Sequence, residues 1–522
     1  MPAFSRRRFL RALGQGTLLA ALPAPLLATE AGAVTISILH TTDLHGHILP
    51  TVDYEGHTDL GGLARCATQI RNWQRVNPAN ILIDLGDVYQ GTEVGLLSHG
   101  ATMIQCLNAL RYDAWVAGNH EFDWGLDAFA ACVGLSSMPV LSGNALVDGR
   151  PAGAATDGPL AKMRRYLIKD VGGFRIAIAS LTTPALSTWL PPEFRRGFEL
   201  LDPVEILRTM LPEIASHRPD AIVLACHMGL KWRDDTANRI GALTQEFPQL
   251  AACLGAHTHQ NHPGEKVNGV LYAQADHYGI HAGKLDLIFD RDSRRLLRVE
   301  SATVPMDHAI ALDPLILSIA QPDLKAADAV LAREIGELTE PFGASAVLGH
   351  PSDAERLIAS AIMAALRNRG VEVDAVAHGL FDHRPLMPGR KTVADAWTVI
   401  PYENEIVTVD LSREDLFAFA RDCSHGADFR NLMGWRVTTS GTGPALQVDV
   451  RASDGSPLPE KSRYRVALNS YDAQSGGERF PVVARLAAHP ANHRVLYPID
   501  IRGALIDFFV ARGKVSRASL LV

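Results

Sequence analysis

The sequence predicts an α/β protein with two domains. Short apolar runs rich in β-branched residues recur over the first half of the chain, and they alternate with segments whose apolar residues follow helical spacing. The pattern changes near residue 310, where a charged helical segment begins and a second α/β pattern follows. A chain of 522 residues, 47% of them hydrophobic, is long enough to bury two cores.

The chain begins with a segment typical of an export signal. Ser-Arg-Arg-Arg-Phe-Leu at 5–10 precedes an apolar stretch at 18–28 that is too short to anchor a protein in a bilayer. Ala31 and Ala33 form an A-x-A cleavage site, so residues 1–33 are predicted to be a twin-arginine signal peptide. The twin-arginine export machinery is an expected partner. The mature protein is expected to be periplasmic or secreted, without a stable membrane anchor.

The charge and the cysteines exclude some classes of protein. Cleavage of the signal would remove four arginines and one glutamate from a formal net charge of −7, leaving −10. This excess of negative charge argues against a protein that binds polymeric nucleic acid. The six cysteines lack C-x-x-C spacing and lie in apolar segments, so they are predicted to be small buried residues and not a disulfide framework.

The predicted elements follow the chain in two groups. The first domain is expected to span 34–310, with strands at 34–39, 81–85, 175–180, 221–225 and 270–273 and helices at 62–75 and 203–217. A linker helix is expected within 311–344, with its helical pattern at 312–340. The second domain is expected to span 345–522, with helices at 353–367 and 413–422 and strands at 406–411 and 464–468.

Side chains that can bind metals cluster directly after the apolar runs. The seven candidate ligands are Asp43, His45, Asp87, Asn119, His227, His257 and His259. Because loops at the carboxyl ends of strands in an open α/β sheet converge on one crevice, these side chains are expected to lie together. Mixed Asp, Asn and His ligands suit zinc, manganese, iron or cobalt better than calcium or magnesium.

The ligand pattern predicts a dinuclear centre that hydrolyses phosphate esters. A carboxylate such as Asp87 can offer one oxygen to each of two ions. Two ions about 3.5 to 4 Å apart can acidify a water molecule and hold a phosphoryl group. The adjacent His120 is predicted to stabilise the transferring phosphoryl group and to protonate the leaving oxygen. Asp123, three residues later, is predicted to hold the other nitrogen of this imidazole.

These motifs resemble those of the calcineurin-type metallophosphatases. Asn-His-Glu-Phe-Asp-Trp-Gly at 119–125, Gly-Asp-Val-Tyr-Gln-Gly at 86–91 and the segment 274–285 resemble the exported 5′-nucleotidase and 2′,3′-cyclic phosphodiesterase family in particular. The resemblance implies a four-layer α-β-β-α sandwich plus a smaller α+β C-terminal substrate domain. It implies one metal held by Asp43, His45, Asp87 and His259, and a second held by Asp87, Asn119, His227 and His257.

The resemblance also implies a substrate site in the second domain. Tyr402 and Tyr471 resemble the two rings that sandwich a nucleobase in this family. The family's phosphate-binding arginine has no counterpart at 377–381, and Arg384 stands nearby as a candidate replacement. The family's Gly-Gly-Asp-Gly loop reads Gly-Gly-Glu-Arg at 476–479, which keeps an acid as Glu478 and adds a cation.

The function expected from these residues is that of an exported metal-dependent phosphoesterase. A metal-bound hydroxide would hydrolyse 5′-nucleotides or nucleotide sugars. His259 stands where many nucleotidases have an amide side chain, and it is more like the cyclic-phosphodiesterase and general phosphoesterase branches. A 2′,3′-cyclic nucleotide phosphodiesterase or a broad phosphomonoesterase is therefore the alternative. A thiosulfohydrolase-like enzyme and a non-catalytic nucleotide-binding protein are further alternatives that the residues favour less.

Overall fold

The structure, a computed structural model, describes residues 32–154, 158–380, 383–426, 428–441 and 443–522. The predicted signal peptide lies outside the described residues, except for its last two positions. Among the described residues, no helix combines the length and the apolar character that crossing a membrane requires. All six cysteines are buried, in agreement with their prediction as small buried residues.

The first domain forms two large sheets, a small three-stranded sheet of order β10-β5-β6, and the helices that cover the large sheets. Its strands are β1 (Ala33–Thr41), β2 (Asn80–Asp84), β3 (Ala114–Val116), β4 (Val140–Leu141), β5 (Ala145–Val147), β6 (Arg150–Pro151), β7 (Met163–Arg164), β8 (Tyr166–Val171), β9 (Phe174–Thr182), β10 (Phe198–Leu200), β11 (Ala221–His227), β12 (Ala252–Leu254), β13 (Asn261–Val267), β14 (Val270–Ala275), β15 (His281–Asp290) and β16 (Leu296–Pro305). Its helices are α1 (Leu63–Val76), α2 (Glu93–Leu97), α3 (Ala101–Leu110), α4 (Leu126–Leu135), α5 (Pro203–Ser216), α6 (Ile240–Glu246) and α7 (Pro314–Leu331).

The two sheets pack face to face with helices on their outer sides. One has seven strands in the order β16-β15-β1-β2-β3-β4-β7, and the other has six in the order β13-β14-β12-β11-β9-β8. Ile36 and Ile38 of β1 point into the core between the sheets. Leu39, on the opposite face of the same strand, points into the core that contains residues of α1, α3, α4 and α7. Helices α5 and α6 cover the second sheet. The predicted four-layer α-β-β-α sandwich is confirmed.

Strand direction brings the candidate ligands to one edge. Strands β1, β2 and β3 run parallel in the first sheet, and β9, β11, β12 and β14 run parallel in the second. Each strand predicted in the first domain is present, extended by one or more residues at an end in most cases. The carboxyl ends of β1, β2, β3, β11 and β12 therefore open onto a common crevice between the sheets.

The segment between the domains is helical over a shorter range than predicted. Helix α7 ends at Leu331, and a strand, β17 (Glu334–Leu338), follows in place of the helix predicted up to 340. Ile335 and Leu338 point into the second core. The spacing of the apolar residues in this segment had favoured a helix. Ile316 and Ala320 of α7 pack into the first core. This helix is therefore part of the first domain's packing.

The second half of the chain is an α+β unit. Its further strands are β18 (Ala375–His378), β19 (Gly389–Thr392), β20 (Glu405–Leu411), β21 (Asn431–Met433), β22 (Trp435–Ser440), β23 (Gln447–Ala452), β24 (Tyr464–Asn469), β25 (Val495–Asp500) and β26 (Lys514–Val515). Its helices are α8 (Asp353–Arg367), α9 (Val393–Val399), α10 (Arg413–Cys423), α11 (Pro481–Ala488) and α12 (Ile501–Arg512). The main sheet has the order β21-β18-β24-β20-β25, with only the β18–β24 pair parallel.

Polar contacts join the two domains beside the crevice. Glu403 of the second domain accepts hydrogen bonds from the side chains of Gln90, at 3.0 Å, and Trp124, at 3.4 Å. Arg494 donates two hydrogen bonds, at 2.7 and 3.2 Å, to the carboxylate of Glu193 in the first domain. These contacts hold the second domain against the edge where the candidate ligands lie.

Candidate metal centre and adjoining cavity

The backbone at the candidate ligands adopts an unusual conformation. Positive φ values, which residues other than glycine rarely adopt, occur at five of the seven ligands: Asp43 (49°), His45 (47°), Asp87 (55°), His257 (72°) and His259 (52°). Such strain persists where the surrounding structure enforces it, and it is concentrated at functional sites. The loops after β1, β2 and β12 thus hold these polar side chains at a conformational cost.

One set of ligand atoms comes from the loops after β1 and β12. Atoms of Asp43, His45 and His259 that can bind a metal lie within 4.8 Å of one another. His259 Nε2 is 3.1 Å from His45 Nε2 and 3.7 Å from Asp43 Oδ1. Asp43 is fully buried. The three side chains therefore converge on one small volume.

A second set lies beside the first. Atoms of Asp87, His227 and His257 again lie within 4.8 Å of one another. His227 Nε2 is 3.0 Å from Asp87 Oδ2 and 3.2 Å from the Oδ1 of Asn119. Asp87 Oδ2 is also 3.7 Å from His45 Nε2 of the first set. The structure therefore brings all seven predicted ligands together, with the carboxylate of Asp87 between the two sets.

Backbone carbonyls fix the orientation of two imidazoles. His45 Nδ1 lies 2.8 Å from the carbonyl oxygen of Gln90, and His227 Nδ1 lies 2.7 Å from that of Leu85. A carbonyl can only accept, so each Nδ1 carries the hydrogen, and each ring in its neutral form presents the Nε2 lone pair to the centre. This is the tautomer that a metal ligand needs.

The electrostatics of the cluster fit a divalent cation. Burial lowers the pKa of His45 and of His257 to about 3, so both rings are neutral at physiological pH. Burial alone would raise the pKa of Asp87, but the imidazoles of His227 and His120 hold it well below its ordinary value. The buried Oδ2 of Asp87 faces two imidazole nitrogens, the Nε2 of His227 at 3.0 Å and the Nε2 of His45 at 3.7 Å. A cation at this point would satisfy that oxygen and the Nε2 lone pairs around it.

Glu121 supports the centre through the backbone, a role that sequence reasoning missed. Its carboxylate accepts hydrogen bonds from the backbone N–H groups of Asp87, Val88 and Gly118 at 2.9, 2.7 and 2.6 Å. The side chain ties the loop after β2 to the loop after β3. The position of Glu121 directly after the Asn-His pair could have indicated a role at the centre. Nothing in the sequence, however, distinguishes a carboxylate that accepts backbone hydrogen bonds from one that binds metal.

His120 lies beside the centre and faces the cavity. Its ring centroid is 5.1 Å from that of His45, and its side chain is 28% exposed. The Nδ1 atom lies 2.7 Å from Asp123 Oδ2, as predicted for the pair, and the backbone N–H donates to Asp87 Oδ1 at 2.8 Å. Burial lowers the pKa of His120, but the carboxylates of Asp123 and Asp87 outweigh it and raise that pKa to about 10. The ring can therefore carry a proton to a bound substrate.

A cavity of about 540 Å³ connects this centre to the second domain. Its lining includes His120, Asp123, His257 and Trp189 from the first domain, and Tyr402, Asn404, Tyr471, Glu478 and Arg479 from the second. Three of the four predicted substrate-binding residues, Tyr402, Tyr471 and Glu478, thus line the cavity that holds His120. The volume is in the range of a pocket for a small organic molecule.

Arg384 does not fit its predicted place. It is exposed and is not among the residues that line the cavity. The arginine in the cavity is Arg479, whose Nη2 lies 3.2 Å from the Tyr471 hydroxyl and whose guanidinium lies 5.6 Å from the centre of that ring. Nearness in sequence to the family's missing arginine pointed to Arg384. The loop that follows Tyr471 carries the arginine that lines the cavity.

Trp189 is a second cavity residue that the sequence did not identify. Its ring centroid is 5.2 Å from that of the candidate ligand His257, and its Nε1 approaches the glycine loop at Gly477. It lies after the 3-10 turn Pro184–Thr188, in a segment that has neither a strand pattern nor a ligand motif. A single tryptophan in an irregular segment carries no sequence signal that separates packing from binding.

The comparisons with known proteins agree with this geometry. Residues 36–261 match the family described as calcineurin-like phosphoesterase, and residues 334–485 match the 5′-nucleotidase C-terminal domain. Snake venom 5′-nucleotidase from Crotalus adamanteus is 31% identical over 287 residues, which cover 51% of this chain and 47% of that protein. The 2′,3′-cyclic-nucleotide 2′-phosphodiesterase/3′-nucleotidase of Salmonella typhimurium is 26% identical over 310 residues, covering 52% of this chain and 46% of that protein.

A solved structure extends the likeness to both domains. The crystal structure of the 5′-nucleotidase precursor from Thermus thermophilus matches this chain with a TM-score of 0.68 and 24% identity. The match covers 92% of this chain and 97% of the Thermus chain. At this identity the match shows the fold alone. The chain spans less than half the length of the first curated relatives that it matches. Together the two matched segments show that the chain joins a calcineurin-like phosphoesterase domain to a 5′-nucleotidase C-terminal domain.

Proposed function

We propose that this chain is a dinuclear metal-dependent phosphoesterase that hydrolyses 5′-nucleotides or nucleotide sugars. The observation that carries the proposal is the cavity shared by His120, at the candidate metal centre, and by two tyrosines of the second domain. A nucleobase between the rings would leave its phosphate within the same cavity as the metal ligands. The names of the two curated relatives, a 5′-nucleotidase and a cyclic phosphodiesterase/3′-nucleotidase, support this substrate class.

The ligand sets support two divalent transition-metal ions, of zinc, manganese, iron or cobalt. One ion would be held by Asp43, His45, Asp87 and His259. The other would be held by Asp87, Asn119, His227 and His257, with the Asp87 carboxylate shared. When bound, two such ions acidify water and neutralise phosphoryl oxygens. The backbone carbonyls behind His45 and His227 keep their Nε2 atoms directed at the ions.

His120 is proposed as the general acid that protonates the leaving oxygen. Its Nδ1–H would donate to Asp123, which leaves the protonated Nε2 directed toward a phosphate ester in the cavity. The same positive charge stabilises the oxygens of the transferring phosphoryl group. Asp123 acts through this ring, because its carboxylate fixes the ring's orientation and favours the charged form.

The second domain is proposed to select the substrate through stacking. Tyr402 is 42% exposed and Tyr471 is partly buried, so both can present a ring face to a ligand. Arg479, held beside the Tyr471 hydroxyl, supplies positive charge for a ribose-linked phosphate or a nucleotide sugar. Glu478 would accept hydrogen bonds from substrate hydroxyls in the same loop.

Replacing Tyr402 and Tyr471 with alanine tests the stacking role. The KM for AMP should rise about tenfold or more, since stacking on an aromatic ring contributes about 1 to 3 kcal/mol per base. The KM for p-nitrophenyl phosphate, which has no base, should change little. Tyr402→Phe is the matched variant, because it keeps the ring and removes only the hydroxyl. Equal losses on both substrates would mean that the two tyrosines serve packing and not binding.

Export by the twin-arginine pathway is proposed from Arg6, Arg7 and the apolar stretch that follows. Changing both arginines to lysine should hold the full-length protein in the cytoplasm, while the unchanged chain appears in the periplasm or the medium as a shorter product. Fractionation followed by mass determination of the mature N-terminus measures this. Export of the lysine variant at the unchanged rate would contradict a twin-arginine route.

His259 favours a second candidate function, hydrolysis of 2′,3′-cyclic nucleotides. An imidazole in place of an amide at this ligand position resembles the cyclic-phosphodiesterase branch. Phosphate release from AMP, UDP-glucose, 2′,3′-cyclic AMP and p-nitrophenyl phosphate separates the two. A phosphatase is added only to the UDP-glucose and cyclic AMP reactions, because their products keep a phosphate monoester that their substrates lack. Preference for AMP or UDP-glucose is the expected result. Turnover of the cyclic or generic ester alone would show that the second domain does not select 5′-nucleotides.

A further inference from the structure

A short loop beside the candidate metal centre has a well-defined shape despite its exposure. This loop, residues 51–60, is closed at its base by two backbone hydrogen bonds between Thr51 and Leu60, at 2.7 and 3.1 Å. Near its tip, Asp53 Oδ1 accepts from the backbone N–H groups of Glu55 and His57, at 3.0 and 2.7 Å. Asp53 Oδ2 is 2.7 Å from the His57 ring. These bonds keep the intervening residue, Tyr54, in one place.

Tyr54 uses this position to reach the candidate ligand His259. Its hydroxyl lies 2.6 Å from His259 Nδ1, although 64% of the residue is exposed. The Tyr54 ring lies parallel to that of His277, with centroids 4.3 Å apart at 12°. His277 in turn stacks on His259 at 4.9 Å and 8°. An exposed tyrosine is therefore held against the metal centre by both a hydrogen bond and ring contacts.

The direction of the hydrogen bond follows from the geometry of His259. Its Nε2 faces Asp43 Oδ1 at 3.7 Å, so a metal there would take the Nε2 lone pair and leave the hydrogen on Nδ1. That Nδ1–H would donate to the Tyr54 oxygen. The Tyr54 hydroxyl is then free to donate to the Tyr278 hydroxyl, 3.5 Å away. A hydroxyl can also donate, so Tyr54 does not select this tautomer by itself, but its oxygen accepts from the Nδ1–H and so stabilises the ring in this form once a metal takes Nε2.

We propose that Tyr54 is a positioning residue that holds the ring of His259 in the orientation that binds metal through Nε2, and thereby sets the affinity of the ion held with Asp43 and His45. The proposal rests on the proposed function, because it takes His259 as a metal ligand. His45 and His227 receive the same support from buried backbone carbonyls, whereas His259 receives it from a solvent-exposed side chain. The ion at His259 is therefore the more easily lost of the two.

The test is the affinity of the purified mature protein for manganese in the variant Tyr54→Phe. Removing the partner of a metal-binding histidine lowers metal affinity by roughly ten- to a hundredfold. Competition with a chelator should show one of two ions weakened by at least about tenfold, with the other unchanged. Tyr166→Phe is the matched control, because its hydroxyl also bonds a histidine, His217, at 3.1 Å on the far side of the second sheet. It should bind both ions as the unchanged protein does.

A second variant separates positioning of His259 from a general effect on the loop. In a His259→Gln background, adding Tyr54→Phe should cause no further loss of affinity, since the imidazole that Tyr54 holds is gone. Unchanged manganese affinity in Tyr54→Phe would overturn the proposal, as would an equal loss in both backgrounds. The thermal midpoint of the metal-free Tyr54→Phe protein should match that of the unchanged protein. A lower midpoint would assign the effect to folding and so overturn it too.

The outcomes also distinguish this proposal from the proposed function. If the unchanged protein binds two ions and releases phosphate while Tyr54→Phe binds both equally well, only the role of Tyr54 is wrong. If the unchanged protein binds no manganese or zinc, the metal centre itself is wrong, and the role of Tyr54 is overturned with it.

Discussion

Replacing Asp87 with asparagine is expected to remove most of the phosphate-releasing activity together with bound metal. The carboxylate of Asp87 lies between the two ligand sets, 3.0 Å from His227 Nε2 and 3.7 Å from His45 Nε2. An amide offers one neutral oxygen where a carboxylate can bridge two cations. We expect kcat to fall by about a thousandfold or more, which corresponds to at least about 4 kcal/mol of transition-state stabilisation. Metal content should fall below two ions per chain.

Asp170→Asn is the control for the Asp87→Asn experiment. Asp170 is exposed and pairs with Arg175 away from the cavity. It should retain activity and metal. Asparagine at 87 can still accept the His120 backbone N–H that now donates to Asp87 Oδ1, so the loop after β3 should keep its position. Full activity with two bound ions in Asp87→Asn would contradict the bridging role.

Replacing His120 with asparagine is expected to slow turnover while both ions remain bound. Neither of the two ligand sets includes His120, so metal content should not change. Loss of a general acid typically reduces the rate by about a hundredfold to ten-thousandfold. The reduction should be largest for alkyl leaving groups such as a ribose oxygen and smallest for p-nitrophenolate, which leaves without protonation. Rates over a series of phenyl phosphates measure this dependence.

The pH profile links the same ring to Asp123. Burial lowers the pKa of His120, and Asp123 is the leading cause that raises it. Activity that needs protonated His120 is present below this pKa and is lost as the pH rises through it. Asp123→Asn should therefore move the alkaline limb of the pH–kcat profile to lower pH. Loss of metal from a His120 variant would instead show that His120 is a ligand. An unmoved alkaline limb in Asp123→Asn would show that Asp123 does not raise the pKa of His120.

The ligands could be found from sequence because their context is simple. Asp43, Asp87 and His227 each lie at or just after an apolar run that folds as a buried strand. Parallel strands place such positions at one edge of a sheet. The position of each residue directly after a strand was therefore enough to predict that residues far apart in the chain meet. The backbone conformation at these positions was not predictable, because positive φ at an aspartate or histidine has no residue pattern of its own.

The features that sequence reasoning missed depend on contacts between segments far apart in the chain. Glu121 acts by accepting three backbone N–H groups from two loops. Arg479, and not Arg384, lines the cavity, because the loop after Tyr471 contacts the first domain through hydrogen bonds to the carbonyl of Thr188. Similarly, β17 was predicted as helix because its apolar residues Ile335 and Leu338 are three apart, a spacing that a helix and an irregular strand can share. Only the packed structure separates these alternatives.

The proposed function depends on seven side chains that hold two ions with Asp87 between them. Anomalous diffraction from crystals of the mature protein loaded with manganese tests it most directly. Two peaks are expected, one bordered by Asp43, His45, Asp87 and His259 and the other by Asp87, Asn119, His227 and His257. A single peak, or two peaks of which only one touches the carboxylate of Asp87, would contradict the shared-carboxylate centre.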